Sequence, residues 1–224
     1  DGFDSTWSVL ASRLIHPTLD SGQVKLVREQ LLAAVRQRGD NPDALVSFIA
    51  DSFAFSGHPY ARSTLGTERS LAHLTVGDLR RYHDEQIVKS RMLVVIVGNI
   101  SRAQVEKAVS RTLAKLPTGN YRWTLPDTLP ERGAGFAIES RPLPTNYILG
   151  YYVGPPAGSK DYQALRVAAA VLSGQLFAEI RSRRNLTYAV DAPFVERAIA
   201  SGGLYVTTVS PDTTLALMRQ QITA

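Results

Sequence analysis

The sequence contains no cysteine. That single absence removes disulfides, thiolate metal sites and cysteine nucleophiles together, and it fits any compartment. No apolar run approaches the roughly 18 to 20 residues that a membrane-spanning helix needs. A basic n-region and a long apolar core are also missing from the opening residues, DGFDSTWSVL, so they do not read as a signal peptide. They read as the middle of a helical domain, and the expectation is a fragment of a longer chain. Localisation stays open, with bacterial periplasm and cytoplasm both possible. Catalytic signatures are scarce as well. No GxSxG, P-loop or GxGxxG occurs, and the four histidines (His16, His58, His73, His83) form neither HExxH nor HxxEH. GDNPD has too few acidic residues at the wrong spacing for a calcium loop. His58, in a Gly-His-Pro loop, reads as a turn residue bonded to nearby backbone. His73 and His83 read as surface residues of helices.

What is present is ordinary globular material. The chain of 224 residues is 44% hydrophobic and 20% charged, enough for one large domain or two modest ones. Net charge is +5, from 25 basic and 20 acidic residues. The basic residues are scattered; the densest group, Arg181, Arg183 and Arg184, is short and lacks interleaved aromatics. A nucleic-acid interface needs a larger basic face, so no nucleic-acid partner is expected.

Periodicity gives the organisation. Trp7, Leu10, Leu14 and Ile15 recur at helical spacing until Pro17. Asp20 with Gln23 starts a second helix in capping-box fashion, striped by Val24, Val27, Leu31, Ala34 and Val35. Gly39 and Pro42 end it and open a third through Leu45, Phe48, Ile49 and Phe53. SGHPYARSTLGT is a loop by composition. Thr75 with Asp78, and Ser101 with Gln104, cap two further helices. Between them MLVVIVGN is a continuous apolar run that reads as a buried strand. Residues 121–132, within a stretch holding three prolines and no period, read as a linker. Beyond it come two strands, AGFAIES and TNYILGYYVG, an alanine-rich helix at DYQALRVAAAVLSG, a short helix leading to Arg181, and two strands, YAVDAPFVER and SGGLYVTTVS, arranged as a hairpin. Ser210-Pro211 starts a final helix. The fold class is α+β.

Two long stretches carry a resemblance. HPYARSTLGTERSLAHLTVGDLRRYHDEQIVKSRMLVVIVGNIS, residues 58–101, resembles the M16 (pitrilysin, insulinase, mitochondrial processing peptidase) metallopeptidase family in its His-Pro-Tyr loop, Leu-Gly-Thr-Glu, Leu-Thr followed by Asp-Leu, and a Val-rich run closing in Val-Gly-Asn. LFAEIRSRRNLTYAV is similar to the signature of that family's other half. The resemblance implies two similar M16-type (LuxS/metallohydrolase-like) halves, each a mostly antiparallel sheet packed with helices and both incomplete here. Residues 1–120 would be the later part of the first half, 121–132 the linker, and 133–224 the earlier part of the second, "inactive" half.

The resemblance also implies a zinc site built from HxxEH, which would lie upstream, and a downstream glutamate. Counting back from Asp40-Asn41-Pro42 puts that glutamate position at Ala34, and an accompanying acidic position at Val27. Neither side chain has a lone pair to offer a cation, so no cofactor is expected in this chain and zinc is expected in a partner. In the second half, the family's arginine and tyrosine match Arg181 and Tyr188. The guanidinium is a planar donor fork and the phenol one further donor, suited to substrate backbone and a developing oxyanion. Without the resemblance, Arg181 also reads as a helix C-terminal cation and Tyr188 as a packed strand aromatic. The expectation is a non-catalytic, substrate-holding subunit, paired with a second M16 chain that carries HxxEH, with peptide or unfolded polypeptide as substrate. Two alternatives stay open: a piece of a competent peptidase whose HxxEH lies upstream, and a structural scaffold of the M16 fold.

Overall fold

The computed structural model describes residues 2–124 and 133–223. Residues 125–132 of the expected linker, 121–132, lie outside the described residues. The chain forms two compact units, one from residues 1–33 and 67–124, the other from 34–66 and 125–224. No described helix is long and apolar enough to cross a membrane.

The first unit is helical. Helix α1, Gly2–Ile15, starts it, followed by α2, Ser21–Asp40, whose first residues belong to this unit. The backbone N–H of Gln23 donates to the Asp20 carboxylate at 3.0 Å, the cap expected there. Helices α4, Glu68–His73, α5, Val76–Gln86, and α6, Arg102–Arg111, each begin with a reciprocal capping box, at Thr67/Ser70, Thr75/Asp78 and Ser101/Gln104. The core gathers Trp7, Ala11, Leu113 and Leu116, with Phe3, Leu14, Ile87, Met92 and Ile96 packed around them. Trp7 satisfies its indole N–H on Thr112 Oγ1 at 3.1 Å. His83 is less exposed than its helical position suggests: one ring nitrogen lies 2.8 Å from the Leu14 carbonyl, the other 3.0 Å from Asp84.

The expected buried strand in MLVVIVGN is corrected here. Residues 92–97 form no regular element and pair with no strand among the described residues. Met92 and Ile96 face the helical core, whereas Leu93, Val95 and Val97 are 87%, 74% and 93% exposed. An apolar run specifies extended backbone and two apolar faces. It does not supply the neighbouring ladder that would cover the second face.

The second unit is built on an antiparallel sheet. Helix α3, Pro42–Ala54, starts with Asn41 accepting from the Ala44 N–H and Pro42 in the first turn. Strand β1, Asn146–Pro156, leads into α7, Lys160–Leu176, and then a π-helical turn, Phe177–Arg183. Strands β2, Val190–Asp191, β3, Phe194–Val195, and β4, Ile199–Thr208, precede α8, Pro211–Thr223. The order is β1-β4-β2, with β3 also on β4. β1 meets β4 from Asn146↔Thr208 to Val153↔Ser201, and β3 closes on β4 as the expected hairpin, Val195↔Ser201. Pro193 has no N–H to give a ladder; its carbonyl accepts from the Gly203 N–H, and the predicted strand over YAVDAPFVER is split into two short pieces. Leu176, Ile180, Val190, Ala192, Val206, Leu217 and Met218 form the core.

AGFAIES, expected as a strand, forms no regular element and joins no strand among the described residues, with Phe136 and Ile138 exposed. Its Gly135 runs so close to the Phe53 ring of α3 that a Cβ would stand 2.8 Å from it. Helix α3 is fixed on the sheet at both ends. Asp43 accepts from the Tyr205 hydroxyl of β4, and Asp51 pairs with Arg197 in the β3–β4 hairpin. Burial, followed by the Asp43 bond, pushes the Tyr205 phenol far above its usual range.

Candidate functional site

The site grows out of the way α7 ends. Its last turn widens from α to π over Phe177–Arg183, a distortion often found at functional positions. Asn185 then takes a left-handed conformation, φ 51°, which Asn tolerates better than most residues because its short polar side chain can bond locally. The Asn185 N–H donates to the Arg181 carbonyl and the Leu186 N–H to the Ile180 carbonyl, both at 3.1 Å. This is a Schellman-type closure widened by one residue, as the π turn requires. Thr187, buried, then ties the chain to β4: its hydroxyl donates to the Thr207 carbonyl and accepts from the Ala189 N–H at 3.0 Å. Tyr188 is held between these anchors with its side chain 82% exposed.

Arg181 and Tyr188, singled out from the sequence, are brought together. The Arg181 guanidinium carbon lies 4.8 Å from the centre of the Tyr188 ring and 4.9 Å from that of Phe177. Both separations are within cation–π range. Phe177 was not singled out by sequence reasoning; the signal available was its i,i+4 spacing to Arg181. The neighbouring arginines are engaged differently. Glu179 accepts from Arg184 Nε at 2.7 Å and from Arg183 Nη1 at 2.8 Å. Those bonds, Arg184 first, hold its carboxyl below the ordinary range. Arg181 has no carboxylate partner among the described residues. It lines an open cavity of about 470 Å³ with Thr145, Asn185, Thr187, Tyr188, Thr207 and Val209 among its walls. Its polar groups are one cation, a phenol, an amide and hydroxyls, a set that donates hydrogen bonds to carbonyl or anionic oxygens.

The two positions that the resemblance matches to zinc-site carboxylates, Val27 and Ala34, lie on α2. Val27 is 49% exposed and Ala34 half-buried, seven residues apart on one helix. The closest carboxylate in sequence, Glu29, faces Lys25 at 4.0 Å on the exposed surface. Methyl and isopropyl groups cannot ligate zinc, and among the described residues no group of three or more His, Cys, Asp or Glu side chains is arranged to hold a metal ion. The donors present on α2 do not fit the group. His58, as expected, is a turn residue: its Nδ1 accepts from the Tyr60 N–H at 3.2 Å.

The sequence profile described as the peptidase M16 inactive domain matches residues 73–224. An uncharacterised zinc protease of Mycobacterium leprae is 27% identical over 182 residues, covering 75% of this chain and 39% of that protein. The mitochondrial-processing peptidase subunit beta of Blastocladiella emersonii is 25% identical over 167 residues, 74% of this chain and 35% of that one. The chain thus spans well under half the length of these relatives. Among solved structures, a peptidase M16 inactive domain from Pseudomonas fluorescens superposes with a TM-score of 0.90 at 22% identity, over 97% of this chain and 55% of that one. That likeness shows the fold, an α+β unit with an antiparallel sheet. With the profile spanning both the helices from residue 73 and the sheet that carries Arg181 and Tyr188, the chain belongs to the peptidase M16 family and carries its inactive domain.

Proposed function

We propose that this chain is the non-catalytic, substrate-holding part of an M16-type zinc peptidase, offering Arg181 and Tyr188 to peptide bound at a zinc site on a second M16 chain that carries HxxEH. The observation that carries the reading is the contrast between two places. Val27 and Ala34 on α2 offer no metal donor, while Arg181 and Tyr188 stand together at an open cavity with the guanidinium paired to no carboxylate among the described residues. The division into a later first half, 1–120, and an earlier second half, 133–224, belongs to the same proposal. Arg181 contributes charged donors to substrate carbonyls, and the Tyr188 hydroxyl one more. Both derive their position from the π turn and the Thr187 anchor.

The test pairs the chain with a second M16 subunit and follows cleavage of an unfolded polypeptide. The chain alone is expected to be inactive. With the partner, Arg181→Ala and Tyr188→Phe should each lower turnover, by about ten- to a thousandfold for the arginine, with assembly unchanged. Cleavage by the chain alone would instead favour a piece of a competent peptidase. Full turnover by both variants would favour the scaffold reading, for which the packing of Arg181 on Phe177 and Tyr188 is the specific support.

A further inference from the structure

We infer that the Arg181 cavity selects a carboxylate of its peptide ligand; this rests on the substrate-holding reading above and adds the chemical class of the group held. Three observations meet here. The guanidinium lies over two aromatic rings, 4.9 Å from Phe177 and 4.8 Å from Tyr188. Guanidinium stacked on ring faces keeps its N–H edge for hydrogen bonding, and that edge is a rigid fork matched to two coplanar oxygens. A lone backbone carbonyl fills only part of it.

Charge points the same way. The two arginines that follow, Arg183 and Arg184, share one carboxylate, Glu179, through bonds of 2.8 and 2.7 Å. Among the described residues Arg181 is left with no such partner, and no Asp or Glu lines the cavity. The lining adds only neutral polar groups, from Thr145, Asn185 and Thr207. A cation that is oriented, unpaired and surrounded by neutral donors favours an anionic oxygen pair over a neutral amide. Hydrogen bonds to charged groups exceed those to neutral ones by about 1–1.4 kcal/mol, or fivefold to tenfold in affinity. Phe177 is then a positioning residue: its ring holds the guanidinium from four residues earlier on the π turn.

The carboxylate has two sources, the C-terminus of a peptide and an acidic side chain. Fluorescence anisotropy with the 224-residue chain and three labelled peptides of one length separates them. One has a free C-terminus and no acidic side chain, one is amidated with a single internal Glu, and one is amidated with Gln in its place. At least one acidic peptide should bind about tenfold more tightly than the neutral one, and the tighter arm identifies the source. The preference should weaken with salt. It should fall below about threefold in Arg181→Lys, which keeps the charge but loses the fork, and shrink in Phe177→Leu, both checked for unchanged circular dichroism. Equal binding of all three peptides, weakened throughout by Arg181→Ala, would overturn the carboxylate inference and leave the substrate-holding reading standing. Absence of binding by any of the three would overturn both. A carboxylate preference that survives intact in Arg181→Lys would move the site elsewhere.

Discussion

Arg197 Nη2 stands 3.4 Å from Asp51 Oδ2, although 146 residues separate the two in sequence. The guanidinium also lies 4.9 Å from the Tyr60 ring centre and 5.4 Å from that of Phe55. This pairing fixes the C-terminal end of α3 to the β3–β4 hairpin, and so holds residues 34–66 with the sheet of the second unit. Each side chain is 28% exposed, which places the pair between surface ion pairs of little value and buried ones that cost several kcal/mol to break. Arg197→Ala should therefore destabilise the second unit by about 1–3 kcal/mol. A double-mutant cycle with Asp51→Asn, read by urea unfolding, should return a coupling near 1 kcal/mol. Zero coupling would mean that aromatic packing, and not charge, secures α3.

His83 predicts a pH dependence for the first unit. Its bond to the Leu14 carbonyl, then that to Asp84, raises the imidazole pKa above its ordinary value. A group with a raised folded pKa contributes its stability fully below the unfolded value, near 6.5. That contribution is lost as pH rises through the folded value. The α1–α5 contact should thus be firmest at about pH 5.5–6 and weaken toward pH 8. An NMR titration of the His83 ring should give a midpoint above those of exposed histidines. In His83→Gln, the loss of stability between those pH values should be smaller than in the parent chain.

Adjacent glycines of β4 should respond unequally to alanine. A Cβ at Gly203 would stand 2.5 Å from the Gly150 carbonyl oxygen, a backbone atom held in the β1–β4 ladder. A Cβ at Gly202 would meet the outer end of the Tyr152 ring, at 2.1 Å, but that side chain is 43% exposed and can swing aside. Gly203→Ala is expected to cost about 2–3 kcal/mol and Gly202→Ala about 1 kcal/mol or less, measured by chemical denaturation. Equal losses would show that the Tyr152 ring is as fixed as the backbone.

Elemental analysis of the purified 224-residue chain should find well below one zinc per chain, about a tenth or less. Adding carboxylates by Val27→Glu and Ala34→Glu should not raise it, since two carboxylates fall short of a four-coordinate site. Stoichiometric zinc in the unaltered chain would overturn the reading of α2.

How much was legible in advance depended on range. The capping boxes at Thr75/Asp78 and Ser101/Gln104, the Asn41-Pro42 helix start and the His58 turn were all readable, because each is decided within a few residues by one side chain meeting one backbone N–H. Arg181 and Tyr188 were singled out by the family resemblance and not by any local cap. The α4 start at Thr67/Ser70 was not legible, because a Ser at the third helical position lacks the carboxylate or amide that marks the usual box.

Pairing was harder to read. MLVVIVGN and AGFAIES carry strand patterns, yet neither joins a ladder among the described residues. Alternation fixes which way side chains point and says nothing about which segment lies alongside.

The sequence by itself determined most helix starts, the α+β class, side chains at Val27 and Ala34 that offer a cation no lone pair, and an arginine and a tyrosine seven residues apart beyond α7. Only the tertiary structure decided that α7 ends in a π turn, that Phe177 and Tyr188 both lie within cation–π range of Arg181, and that Asp51 and Arg197 meet across 146 residues. The physical reason is that capping and periodicity act within one helical turn. Stacking and ion pairing across the chain form only where the packing of the sheet and its helices brings distant residues together.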